Sequence, residues 1–154
     1  MKIQFENNLD YQNRAIESIV NIFEGQEICQ SNFTVTGIND NLLTYQNDLG
    51  IGNRLELLDD EILSNVQQIQ LKNGLPQTKS VKDIKTMDFS VEMETGTGKT
   101  YVYLKTIFEM NKKFGFTKFI IVVPSIAIKE GTNKTLEITN EHFRGLFDNV
   151  NYDY

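Results

Sequence analysis

"SVEMETGTGKTYVYL", residues 90–104, decides how this 154-residue chain is read. In a phosphate-binding loop the backbone N–H groups of a tight glycine turn wrap the phosphates, a lysine reaches the terminal ones, and a Ser or Thr hydroxyl ligates Mg²⁺. Gly96, Gly98, Lys99 and Thr100 fill those places. The helical pattern that starts at Lys99 also turns its N-terminal dipole toward the anion. The pattern G-x-G-K-[ST] arises by accident in a chain of this length with a probability on the order of 1%. With a strand-like pattern before it and a helical one after it, a loop for nucleotide phosphates is the reading to carry. The alternative, glycines that only shape a turn, leaves the Lys99 charge opposed to a helix dipole. Met93 stands where the strict G-x-x-x-x-G-K-[ST] pattern has its first glycine. That position precedes the phosphate cradle, so a side chain is tolerated there, and its presence argues against nucleotide kinases and small GTPases.

Working outward, Met87, Phe89, Val91 and Met93 alternate with Asp88, Ser90, Glu92 and Glu94, a strand period running into the loop. A central parallel strand is usually apolar on both faces, and this one is not. After the loop, "KTYVYLKTIFEMNKKFG" predicts a helix with Tyr103, Leu104, Ile107 and Phe108 inward and Gly115 as its cap. "KFIIVVP" then reads as a buried parallel strand closed by Pro124, which completes a βαβ unit. "SIAIKEGTNKTLEIT" and "NEHFRGLFDNV" predict two further helices.

Upstream, Ile16, Ile19, Val20 and Phe23 share one helical face, with Asp10 as N-cap and Gly25 as the stop. "DDEILSNVQQIQLKNGLP" predicts a second helix with Ile62, Val66 and Ile69 on one face. Between the two, short strands are expected around 32–36 and 55–58, and "QTKSVKDIKT" reads as a polar linker.

Composition is that of a soluble globular domain, 40% apolar and 23% charged. No apolar run reaches the roughly 20 residues of a membrane span and no signal-peptide core follows the N-terminus, so a cytoplasmic chain is expected. Cys29 and His142, the single cysteine and histidine, do not compose a metal site and read as structural. The net charge of −6 argues against a generic basic nucleic-acid module. Residues 1–85 hold 7 basic and 12 acidic side chains, against 8 and 9 in residues 86–154, so the loop half is near neutral. Lys105, Lys112, Lys113, Lys118, Lys129 and Lys134 can form local positive patches there.

"METGTGKTY" resembles motif I of superfamily 2 helicases and translocases, and more specifically the restriction (Res) subunit of type III restriction-modification enzymes. "LDYQNRAIESI" is similar to the family segment in which a glutamine, here Gln12, reads the adenine edge of ATP with Tyr11 or a neighbour near the base. "FIIVVPSIAIKEG" resembles the motif whose turn contacts the nucleic-acid backbone, here at Ser125 and Lys129. The resemblance implies an α/β fold: a partial RecA-like P-loop domain, a parallel sheet flanked by helices, starting at residue 86. Residues 1–85 would be an N-terminal extension with the adenine-reading segment and a helical insert. It implies ATP and Mg²⁺ as cofactors, with Lys99 and Thr100 catalytic and Thr100 on the metal. Tyr11, Gln12, Thr95, Gly96, Thr97, Gly98, Lys99, Thr100 and Tyr101 would bind the nucleotide. The implied partners are double-stranded DNA and a methyltransferase (Mod) subunit, with no membrane. Another superfamily 2 DNA or RNA helicase, or a nucleotide-binding fragment without turnover, are the alternative readings.

Phosphoryl transfer also needs a Mg²⁺ carboxylate, a water-positioning group and usually an arginine finger. None has a recognisable motif in this sequence, and neither does a nuclease site; Arg144 reads as an exposed structural arginine. The chain therefore reads as the first part of a longer polypeptide or a truncated product, binding ATP weakly and not turning it over. A carboxylate outside any motif, Glu94 or Glu130, is what could make it more complete.

Overall fold

The computed structural model describes residues 6–28, 53–150 and 152–154. Helix α1 spans Asp10–Val20 and runs into a 3₁₀ turn, Asn21–Phe23. Helix α2 spans Asp59–Lys72 and is followed by a second 3₁₀ turn, Val81–Ile84. Helix α3 spans Lys99–Phe114 and α4 spans Ile126–Leu146. Cys29 and the strand expected around 32–36 fall outside the described residues.

The helices form for the reasons their sequences suggest. Asp10 lies in the first turn of α1 rather than at its cap, which is Leu9. Three acids open α2, where the Glu61 carboxylate accepts from the Leu58 backbone N–H at 2.8 Å. Gly115, at φ +71°, ends α3 as its left-handed C-cap, with Lys112 and Lys113 in the last turn. The two helices expected after Pro124 are one. Ser125 caps it by accepting from the Ile128 N–H at 3.3 Å, and at the expected break the Thr139 hydroxyl donates to the Thr135 carbonyl at 2.7 Å, in step with the helix. The expected linker is also more than polar chain, because Ile84 in its 3₁₀ turn is buried.

The expected α/β fold is overturned: among the described residues there are helices and turns, and no strand or sheet. A strand exists only when a neighbour completes its hydrogen-bond ladder, and side-chain alternation alone cannot supply one. The alternation of residues 87–93 instead sorts side chains against helices. Met87 and Phe89 pack on the cluster of Ile22, Ile62, Val66 and Ile84, and Met93 packs on the cluster of Ile16, Val20, Val102, Phe114 and Phe116. In residues 118–124 Phe119 joins that second cluster, while Ile120 and Val122 are 91% and 88% exposed. Residues 55–58 are also not a strand; the buried Gln26 amide holds that stretch, donating to Arg54 O at 3.2 Å and accepting from Glu56 N at 2.9 Å.

Helix α3 organises what remains. One face meets α1 through Val102 and Phe114. The opposite face meets α4 through Tyr101, Leu104 and Phe108 against Leu136, Phe143 and Phe147. Phe143 sits between Tyr101 and Phe108, with ring centroids 5.3 and 4.8 Å away, in the offset geometry that aromatic quadrupoles favour.

Candidate functional site

Residues 95–98 form the turn that leads into α3, and Gly98 is the N-cap of that helix. Gly96 and Gly98 have φ of +83° and +82°, the left-handed region where a side chain is strained. At Gly98 a Cβ would also come within 2.7 Å of the Gln12 amide nitrogen. Conformation therefore favours glycine there, and an added side chain would also displace the end of the Gln12 side chain. The first N–H groups of α3 have no acceptor within the helix, as at any helix start, so the turn gathers backbone donors beside a positive dipole end.

The loop is closed by its own polar groups. The Thr97 hydroxyl and the Lys99 ammonium both donate to the Glu94 carbonyl, at 2.7 and 3.0 Å. Lys99 is exposed and Thr100 half-buried. The amide nitrogen of Gln12, which is buried in α1, donates to the Thr97 carbonyl at 2.9 Å. Gln12 and the glycine loop, 85 residues apart in sequence, are thus brought together. Lys105 explains why α1 stands in that register: its ammonium donates to the Asn7 carbonyl at 2.9 Å and the Asn13 side chain at 3.0 Å, fixing the start of α1 on α3.

Tyr11 is half-exposed and lines a groove of about 940 Å³ between α1, α2 and residues 88–94. Arg14, Asn73, Phe89, Glu94 and Thr97 share its wall, so the groove opens beside the loop. Tyr101 has its side chain turned the other way, into the core under the helix start, where its hydroxyl is 2.8 Å from His142 Nε2. Thr95 is exposed at the start of the turn. Ser125 and Lys129 lie at the exposed beginning of α4; the Ser125 hydroxyl serves as the helix cap, and Lys129 borders a second groove of about 680 Å³.

Of the lysines expected to form positive patches, several are matched by acids: Lys112 with Asp148 at 3.8 Å, Lys134 with Glu137 at 3.0 Å, and Lys113 with Glu24. Such exposed pairs add little stability, but they neutralise the local field. The side chains that sequence reasoning overlooked are Lys105 and His142 as partners of site elements. Their partners lie on other helices, so no local pattern marks them.

Burial, and then the charge of Lys105, push the His142 imidazole below its ordinary 6.5. The folded state therefore favours the neutral ring, and below about 6.5 the unfolded chain binds the extra proton more readily. The stability from this residue is complete above that pH and lost as pH falls through the lowered value. We expect the melting temperature to fall between about pH 7 and pH 5, and to fall less in His142→Gln. Circular-dichroism melts of the two proteins across that range check it, and parallel curves would contradict it.

No helix among the described residues is long and apolar enough to cross a membrane. Residues 7–151 match the family described as type III restriction enzyme, res subunit. The chain is 36% identical over 146 residues to the EcoPI Res subunit of Escherichia phage P1, covering 94% of this chain and 14% of that protein. To the EcoP15I Res subunit of Escherichia coli it is 36% identical over 141 residues, 90% of this chain and 13% of that protein. To the StyLTI Res subunit of Salmonella typhimurium it is 45% identical over 65 residues, 41% of this chain and 7% of that protein. This chain thus spans only a small part of the length of the curated relatives it matches.

Proposed function

Because the chain belongs to the type III restriction enzyme res subunit family, we propose that its glycine loop binds ATP for a motor that acts on DNA. Residues 95–98 give backbone N–H groups to the phosphates, and so do the first amides of α3, including that of Tyr101. The Lys99 ammonium exchanges the Glu94 carbonyl for phosphate oxygens, a stronger charge-assisted partner. The Thr100 hydroxyl would ligate Mg²⁺. When bound, Mg²⁺–ATP supplies the phosphoanhydride whose cleavage drives the motor. This chain's own residues bind and orient it.

The observation that carries this reading is the fit of the cradle. Two left-handed glycines precede a helix start, one of them lies against the Gln12 amide, and an exposed lysine follows directly. The groove lined by Tyr11 and Thr97 is the place for the base, with Tyr11 against its face. Gln12 spends one N–H on Thr97, and the rest of its amide can read the adenine edge. In the whole protein the ATP would serve translocation on double-stranded DNA and its cleavage together with a Mod subunit. Ser125 and Lys129 would touch the DNA backbone, and the chain would work in the cytoplasm.

The reading is tested by nucleotide competition. The wild-type chain should prefer ATP to GTP, and Gln12→Ala should lose that preference by about ten-fold while still binding triphosphate, because one base-edge hydrogen bond is removed and the phosphate contacts stay. Fluorescent-nucleotide displacement measures both. If ATP and GTP compete equally for the wild-type chain, Gln12 does not read adenine.

A further inference from the structure

We infer that His142 and the Tyr101 hydroxyl form a positioning pair for the phosphate loop, so that α4 holds the first turn of α3 in the orientation that nucleotide binding needs. The inference rests on the nucleotide reading above and goes beyond it by giving the chain's single histidine a role.

Tyr101 is the third residue of α3, directly after Lys99 and Thr100. Its ring is buried, lies 25° from the plane of Phe143 at 5.3 Å, and ends in the 2.8 Å hydrogen bond to His142 Nε2. Two residues on, the Tyr103 hydroxyl makes a 2.8 Å hydrogen bond with the Thr132 hydroxyl. Thr132 and His142 are ten residues apart on α4, about 15 Å along its axis. The start of α3 is therefore gripped at two separated points of one long helix, and cannot turn about its own axis without breaking one grip. Helix α1 holds the other side through Gln12 on Thr97 and through Lys105.

That rigidity bears on binding because the donors of the cradle are backbone amides of this same turn. An amide held in place before the ligand arrives costs nothing to order when it binds, whereas a turn free to rotate must be ordered at the expense of affinity. The Tyr101 hydroxyl reaches the phosphates only through its own backbone, so it acts as a positioning group. Thr132, the partner of the Tyr103 hydroxyl, is itself anchored, donating to the Ile128 carbonyl at 2.9 Å, so the far end of that grip is part of α4 rather than a loose side chain.

The test uses the whole chain and Mg²⁺–ATP, with the unique histidine as reporter. In the wild type, saturation with Mg²⁺–ATP should move the His142 ring resonances in NMR spectra. In Tyr101→Phe, which keeps the ring and its stacking, the resonances should stay put and ATP affinity should drop about five-fold. His142→Phe should lower affinity by a similar factor, while His142→Gln, which can still bond the tyrosine hydroxyl, should restore it. A purely structural pair would lower the melting temperature in these variants and leave affinity alone. Binding of ATP with unmoved His142 resonances, or with equal affinity in Tyr101→Phe, overturns the positioning pair and leaves the nucleotide reading standing. Failure of the wild-type chain to bind ATP at all overturns both.

Discussion

Lys99→Ala should remove nucleotide binding, lowering ATP affinity by about 100-fold or more. The ammonium is the one cation placed at the glycine turn by its own sequence position, and an alanine stub cannot balance phosphate charge there. In the free protein the exposed side chain only donates to the Glu94 carbonyl, so little of the fold depends on it. The melting temperature should therefore stay close to that of the wild type while the binding isotherm flattens. Titration calorimetry with Mg²⁺–ATP, run beside thermal melts, separates the two effects. Equal affinity in mutant and wild type would sink the phosphate-loop reading, and a collapse of stability would show that Lys99 has a structural duty not visible in its single hydrogen bond.

Phe143→Ala should have the largest effect on stability, about 3–5 kcal/mol. Phe143 is fully buried, and its ring touches Tyr101, His142, Phe108 and Phe147. Truncation leaves a cavity at the crossing of α3 and α4 and takes away the surface on which Tyr101 stacks. Against a typical domain stability of roughly 5–15 kcal/mol, the loss is a large fraction of the whole. The midpoint of thermal unfolding should drop by about 10 °C. A shift of only a degree or two would mean that α4 is not cooperative with the rest of the chain. Phe143→Leu, which refills part of the cavity, should recover a good share of the loss.

The loop and the helices were legible in sequence because their signals are local. A glycine at positive φ, a lysine at a helix start and apolar residues at helical spacing each act within a few residues, so "GTGKT" and the faces of α1, α2 and α3 are readable one window at a time. The family was legible for the same reason, since its motifs are short and their order along the chain is visible. What misled was the pattern of residues 87–93 and 118–124. Alternation and β-branched runs show that a segment can pair, whereas pairing needs a neighbour, and in this structure Met87, Phe89 and Met93 find helices instead.

Tertiary structure alone decided how the site is held together. The amide of Gln12 on Thr97, the ammonium of Lys105 on Asn7 and Asn13, and the hydroxyl of Tyr101 on His142 link residues 85, 98, 92 and 41 positions apart. In each, one partner reads in sequence as an ordinary helix residue. Its role depends on which helix faces which, and that is set by burying apolar surface over the whole chain rather than by any local rule. The sequence by itself determined that a glycine turn followed by a lysine stands at the start of α3. Only packing determined that α1 and α4 grip that turn from opposite sides, because hydrogen bonds between distant segments exist only after the cores beneath them have closed.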